Sequence, residues 1–226
     1  IMNLPKGTEH FMSDLHGEYD AFYHIINNCS GVIREKVAML YGDELTVYEQ
    51  QELCTLIYYP REKLSILMDE NKVNDEWYRN VLNQLIQIAK LLSSKYTRSK
   101  VRKAMPVDFA YIIDELIHAQ KDEDDNRSVY HRQIMETILS LHNGDEFLVA
   151  LTDLIKRLAV DHLHILGDIY DRGSHADKIL DLLMEHHSVD IQWGNHDILW
   201  MGAFCGNPVC MALVARDNIK YKTMSI

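Results

Sequence analysis

Three short apolar segments each run into a polar cluster. Phe11-Met12-Ser13 leads into Asp14-Leu15-His16-Gly17, His162-Leu163-His164-Ile165-Leu166 into Gly167-Asp168, and Val189-Asp190-Ile191-Gln192-Trp193 into Gly194-Asn195-His196-Asp197. Alternation of apolar and polar positions in the second and third predicts β-strands. Residues 176–187 carry Ile179, Leu182 and Leu183 at helical spacing, and residues 17–28 place Phe22, Ile25 and Ile26 on one helix face. A strand, a helix and a second strand imply a parallel βαβ unit.

Residues 31–159 follow a different rule. Thr46-Val47-Tyr48-Glu49 has the capping-box pattern ahead of Leu53, Leu56 and Ile57, and Pro60 is placed to open the next helix. Val81, Leu85, Ile88 and Leu92 form a helical stripe. So do Phe109, Ile112, Ile113, Leu116 and Ile117, then Ile134, Ile138 and Leu141, then Leu151, Leu154, Ile155 and Leu158. The pattern predicts about five or six helices, with Lys121–Arg127 as a solvated acidic loop between two of them. The expected fold class is therefore α/β: a layered core, residues 1–30 and 160–226, interrupted by an all-helical insertion, residues 31–159. The α/β segments hold every polar cluster. Chemistry is expected at the carboxyl ends of the strands, where open parallel sheets place their ligands.

Composition narrows the class of function. The 226 residues are 47% hydrophobic and 25% charged, with a formal net charge of −11. Such acidity argues against a nucleic-acid or anionic-membrane partner, because a phosphate backbone needs a dominant basic face. A phosphorylated substrate stays open, since a bound divalent ion can invert the local field. No run of 18 apolar residues predicts a membrane span, and the first residues have no secretory signal pattern. Cys29, Cys54, Cys205 and Cys210 contain no Cys-x-x-Cys pair. Reduced thiols, hence a cytoplasmic setting, are expected, with Cys205 and Cys210 as small buried hydrophobes. Ile1 precedes Met2, and the chain stops at Ile226 in mid-pattern; truncation at both ends is expected.

The polar clusters carry the chemistry. Asp14-x-His16 alone is a weak signal. Gly167-Asp168-Ile169-Tyr170-Asp171-Arg172-Gly173 is strong, because it fixes five positions at about one chance in twenty each. Gly194-Asn195-His196-Asp197 is intermediate. Carboxylates, imidazole and an amide oxygen together suit Mn²⁺, Fe²⁺ or Zn²⁺, and one carboxylate can bridge two ions about 3.5–4 Å apart. Arg172 offers a planar fork for phosphate oxygens. His196 is placed to act as acid to a leaving alkoxide, and Asp171 to hold its other ring nitrogen.

These three motifs, in this order, resemble the calcineurin-like metallophosphoesterase superfamily. The resemblance implies a two-sheet sandwich flanked by helices, of which only the first part is present. It implies Asp14 and His16 on a first ion, Asp168 bridging both ions, and Asn195 binding the second ion and approaching phosphate. It also implies His196 with Asp171 as the catalytic pair, and Arg172, Asn195 and His196 on the substrate phosphate. The long helical stretch between the first two motifs is similar to the bacterial class III fructose-1,6-bisphosphatases, as are Leu4–Phe11, the segment Ser94–Ala104 and Val189–Ala203. That family implies a manganese-dependent enzyme of gluconeogenesis. It would hydrolyse the 1-phosphate of fructose 1,6-bisphosphate with water activated by two metal ions, as a possible homo-oligomer. A Ser/Thr protein phosphatase, a dinucleoside-polyphosphate hydrolase and a non-catalytic remnant are the alternatives.

Ser174-His175-Ala176 departs from the family's usual Pro-Arg-Pro but touches no expected ligand. No histidine follows His196, although the superfamily draws further ligands from downstream segments. The 226-residue chain alone is therefore expected to bind one ion weakly, to release little phosphate, and to leave an apolar face of its sheet uncovered. Lys100, Arg102 and Lys103 lie in a cationic stretch that reads as an anion site or as a solvated helix end. Trp193 and Trp200 are expected as core aromatics, and His186-His187 as a helix C-terminus.

Overall fold

A computed structural model of the chain describes residues 7–118 and 125–223. In chain order its elements are β1 (Glu9–Met12), α1 (Tyr19–Asn28), α2 (Val32–Tyr41), α3 (Val47–Tyr58), α4 (Pro60–Asp69), α5 (Asp75–Ser93), α6 (Arg98–Ala104), α7 (Ala110–His118), α8 (Asp125–Ser140), α9 (Gly144–Ala159), β2 (His162–Ile165), α10 (Ala176–Glu185), β3 (Val189–Ile191), α11 (Asn195–Phe204) and α12 (Pro208–Tyr221). None of the described helices is long and apolar enough to cross a membrane. Among the described residues the chain divides into two compact units, one of Gly7 and the stretch from Asn27 to Ala159, the other of Thr8–Ile26 and the residues from Val160 to Thr223.

The helical unit is organised on α9. Phe147, Leu148, Leu151, Leu154, Ile155 and Leu158 are buried on it, facing the Val81–Leu92 stripe of α5. Thr152 is fully buried and satisfies its hydroxyl locally by donating to the Val149 carbonyl at 2.8 Å, which removes the cost of an unpaired polar group. Helix starts follow their sequence signals. Thr46 and Glu49 form a reciprocal capping box at α3, Pro60 opens α4, and Asn74 and Thr97 accept from backbone N–H groups at α5 and α6. Eight helices, α2–α9, stand here among the described residues, more than the periodicity predicts. The extra ones are α2 and α6, and α6 is only seven residues long. The predicted acidic loop 121–127 falls partly outside the described residues. Its end is helical, because α8 starts at Asp125.

In the second unit the strands form a parallel sheet of order β1-β2-β3. The register pairs Phe11 with His164 and His164 with Asp190. On one face Met12, Leu163, Ile165 and Val189 pack with Phe22 of α1 and with Ile179 and Leu183 of α10. This is the hydrophobic seal expected of a βαβ layer. The other face departs from expectation. It carries Phe11, which is 61% exposed, but also His162, His164 and Asp190, so it is predominantly polar. Apolar exposure lies instead on the α11–α12 pair, where Phe204 is 93% exposed. Two further expectations are corrected. Trp193 is 63% exposed rather than in the core, while Trp200 stacks on Tyr170 at 4.9 Å. Cys205 is exposed and Cys210 half-buried. His186 and His187 lie beyond the end of α10 and stack on each other at 4.4 Å.

Candidate active site

Each strand delivers its polar cluster at its carboxyl end, and the backbone ties the clusters together. His16 N–H donates to the Asp168 carbonyl at 2.8 Å, Gly17 N–H to Ile169 at 2.8 Å, and Gly173 N–H to His16 at 2.6 Å. The turns are tight. Asp14, His16, Asp168, Asp171 and Arg172 all have positive φ between 48° and 85°, a region costing L-residues about 1–3 kcal/mol each. The loops meet at Gly17 and Gly173, where a Cβ on Gly17 would sit 2.5 Å from the Gly173 carbonyl oxygen. No larger residue fits that crossing.

One buried carboxylate holds the arrangement. Asp197 is 3% exposed. Its Oδ2 accepts from Asp168 N–H at 2.8 Å and Gly194 N–H at 2.9 Å, and its Oδ1 from Ile169 N–H at 2.9 Å and Tyr170 N–H at 3.2 Å. It thus binds the loop after β2 to the start of α11. Burial, and then the Asp197 charge, pushes the Tyr170 phenol up. Sequence reasoning treats Asp197 only as the end of a motif. Its position three residues after Gly194, the third residue of α11, is the signal that finds it, because helix N-termini favour a carboxylate there.

Asp14, His16 and Asp168 bring their ligand atoms within 4.8 Å of one another. His16 Nε2 lies 3.5 Å from Asp14 Oδ1, while His16 Nδ1 is 3.3 Å from the Tyr170 carbonyl. A carbonyl behind one ring nitrogen is the usual way a ligating histidine is oriented, with the other nitrogen left for a metal. Two carboxylates and an oriented imidazole fit a divalent metal ion by donor chemistry. Asn195 is exposed at the first position of α11. Its neighbour His196 donates its backbone N–H to Asp168 Oδ1 at 3.2 Å, and its neighbour Gly194 abuts the same carboxylate.

Asp171, Arg172 and His196 form the adjoining group. Asp171 is nearly inaccessible, and its Oδ2 makes no well-formed hydrogen bond among the described residues. Its nearest ionisable neighbours are His196 Nδ1 at 3.3 Å and Arg172 Nε at 3.8 Å. Catalytic contacts are often this loose before substrate binds. The Arg172 side chain is 54% exposed, with its guanidinium 5.9 Å from the centre of the Tyr221 ring. Helix α12 also brings Asp217 within 4.8 Å of the ligand atoms of Asp171 and His196. Nothing in the sequence motifs points to Asp217, which is distant in sequence and ion-paired with Arg216 at 2.7 Å. Lys100, Arg102 and Lys103 lie exposed on α6 of the helical unit. Lys100 is 5.1 Å from the Tyr96 ring, and the neighbouring Arg98 is paired with Asp114 at 2.7 Å.

A parallel sheet with carboxylates and histidines converging beyond its strand ends defines an α/β protein with a candidate metal site. The comparisons give its family. The sequence model described as Firmicute fructose-1,6-bisphosphatase matches residues 1–226, and the chain belongs to that family. It is 55% identical over 224 residues to fructose-1,6-bisphosphatase class 3 1 of Clostridium beijerinckii, covering 99% of this chain and 34% of that protein. It is 54% identical over 226 residues to fructose-1,6-bisphosphatase class 3 of Listeria innocua, covering 100% and 34%. The protein of the same name from Bacteroides fragilis is 52% identical over 221 residues, covering 98% and 33%. The chain thus spans about a third of the length of these curated relatives. No solved structure matches it.

Proposed function

We propose that the chain supplies the metal site of a phosphomonoesterase that removes the 1-phosphate of fructose 1,6-bisphosphate. The observation that carries this reading is the Asp14–His16–Asp168 cluster, with the Tyr170 carbonyl against His16 Nδ1, beside the Asp171–His196 pair. We assign residues 1–30 and 160–226 to a metallophosphoesterase-type sandwich core and residues 31–159 to a helical insertion in it. The setting we propose is a reducing cytoplasm, in keeping with four cysteines that form no disulfide, and a homo-oligomer.

Asp14, His16 and Asp168 would hold one divalent ion, Mn²⁺ in this proposal, and Asp168 with Asn195 a second. Bound there, such ions supply an activated water and neutralise phosphate charge. The chain's own groups do the rest. Arg172, exposed and held to one side by Tyr221, presents its fork to the phosphate oxygens. Asp171 engages His196 Nδ1, which leaves Nε2 to hand a proton to the departing sugar oxygen. The buried Asp171 carboxylate stabilises the imidazolium before that transfer, and its position fixes the ring. Water is the acceptor of phosphorus, so the products are inorganic phosphate and a sugar monophosphate.

The test is phosphate release from fructose 1,6-bisphosphate in excess Mn²⁺, measured on the 226 residues alone and on the same sequence within a chain of its relatives' length. The longer chain is expected to turn over, and the shorter one to stay near background, because its second ion has only Asp168 and the neutral amide of Asn195. His196→Asn in the longer chain should slow turnover by about 10²–10⁴-fold, the usual worth of a general acid, at unchanged metal content. Wild-type turnover of this variant on an unactivated alkyl phosphate would remove His196 from that role.

We also assign Lys100, Arg102 and Lys103, on α6 of the helical unit, to an anion site for a phosphorylated ligand or effector. Replacing all three by Gln should weaken bisphosphate binding more at low salt than at high salt, without changing metal content. Affinity unchanged at both salt concentrations would leave them as a solvated helix end, where Arg102 and Lys103 already complement the dipole of α6.

A further inference from the structure

The polar face of the sheet holds a second group of side chains of metal-ligating type, on the strands themselves rather than beyond their carboxyl ends. Strand alternation puts His162 and His164 on the same face of β2, and the β2–β3 register sets Asp190 directly beside His164. His162 Nε2 is 3.2 Å from Asp190 Oδ2. His164 Nδ1 is 2.9 Å from Asp190 Oδ1 and 3.0 Å from Oδ2. All three residues offer ligand atoms within 4.8 Å of one another. Donors around a tetrahedral ion with bonds of 2.0–2.1 Å stand about 3.3 Å apart, so the observed spacing is close to that of a chelate before an ion enters.

The surroundings hold the two rings in place. His162 Nδ1 is 2.6 Å from Ser188 Oγ, and the Ser188 carbonyl accepts from Leu163 N–H at 3.1 Å. Phe11 stacks flat on His164, with ring centres 4.3 Å apart and planes 12° apart. One imidazole is thus anchored by a hydroxyl on its non-ligating nitrogen, the orienting contact typical of metal histidines. The side chains are 30%, 22% and 55% exposed, which gives an ion a path in.

We propose that His162, His164 and Asp190 bind a divalent transition ion of the zinc type, with water in the fourth position. Two imidazoles and one carboxylate suit Zn²⁺, Co²⁺ or Ni²⁺. Binding moves the proton on His162 Nε2 to Nδ1, where Ser188 Oγ accepts it, and the proton on His164 Nδ1 to Nε2. The ion crosslinks β2 to β3. The site shares no residue with the Asp14–His16–Asp168 cluster, so its success or failure leaves the proposed phosphatase reading untouched.

The experiment titrates the 226-residue chain with Zn²⁺ by calorimetry and with Co²⁺ by visible absorption. An intense four-coordinate Co²⁺ band is expected, and it should survive Asp168→Asn. His164→Gln and the near-isosteric Asp190→Asn should each lose most of the band and weaken Zn²⁺ binding by more than about ten-fold, at least the loss seen when a group that only orients a ligand is removed. Far-ultraviolet circular dichroism of both variants guards against misfolding. The proposal is overturned if no four-coordinate band forms, or if the band and the Zn²⁺ affinity are the same in wild type and in folded Asp190→Asn.

Discussion

Asp168→Asn should strip Mn²⁺ from the Asp14–His16–Asp168 cluster, and with it the phosphate release proposed for the longer chain, while leaving the fold in place. The side-chain amide keeps Oδ1, which accepts the His196 N–H at 3.2 Å. The main-chain bonds from His16 to the Asp168 carbonyl and from Asp168 to Asp197 do not depend on the side chain. Asparagine tolerates the φ of 55° as well as aspartate does. What is lost is a negative charge and an anionic oxygen shared by both proposed ion positions. Metal affinity should fall by about 100-fold or more, since ligand type and count set it. Metal analysis after dialysis, with thermal unfolding as a control, checks this. Full metal retention in a folded variant would take Asp168 out of the site.

Asp197→Ala should be the most destabilising single change in the sheet-containing unit. It leaves four backbone N–H groups without their acceptor, in a place where Asp197 is 3% exposed. Hydrogen bonds to a charged group contribute about 1.5–3 kcal/mol each, and some of the freed donors will find water. A loss of about 4 kcal/mol or more is expected, read from urea unfolding. Asp197→Asn should fall between the two, because an amide offers one oxygen and turns an N–H₂ group toward backbone donors. Metal affinity should drop with stability in both, since the loop after β2 carries Asp168. Unfolding curves that coincide with wild type would show that the loop is held by other means.

The strands and the residues at their ends were legible because they follow local rules. Alternation marks β2 and β3, glycines punctuate the turns, and the Thr46–Glu49 and Pro60 signals start helices as expected. Asp14, His16, Asp168, Asp171 and His196 were legible as a candidate site, which the structure gathers into two adjoining groups, because polar clusters repeat after apolar segments. What was hidden is tertiary. The four-way role of Asp197 depends on two loops meeting, and Asp217 reaches its neighbours only because α12 folds back along α11. Exposure is not legible where the pattern carries no information about layers. Trp193 and Cys205 look like core residues by type, yet their side chains are exposed. The polar sheet face was in plain view in His162-Leu163-His164, but its meaning depends on Asp190 from another strand in register.

The most direct measurement is anomalous diffraction at the manganese edge from crystals of this chain grown with Mn²⁺. The account predicts a peak within coordination distance of Asp14, His16 Nε2 and the Asp168 carboxylate together. No peak there, with Mn²⁺ located only on other residues, would contradict it.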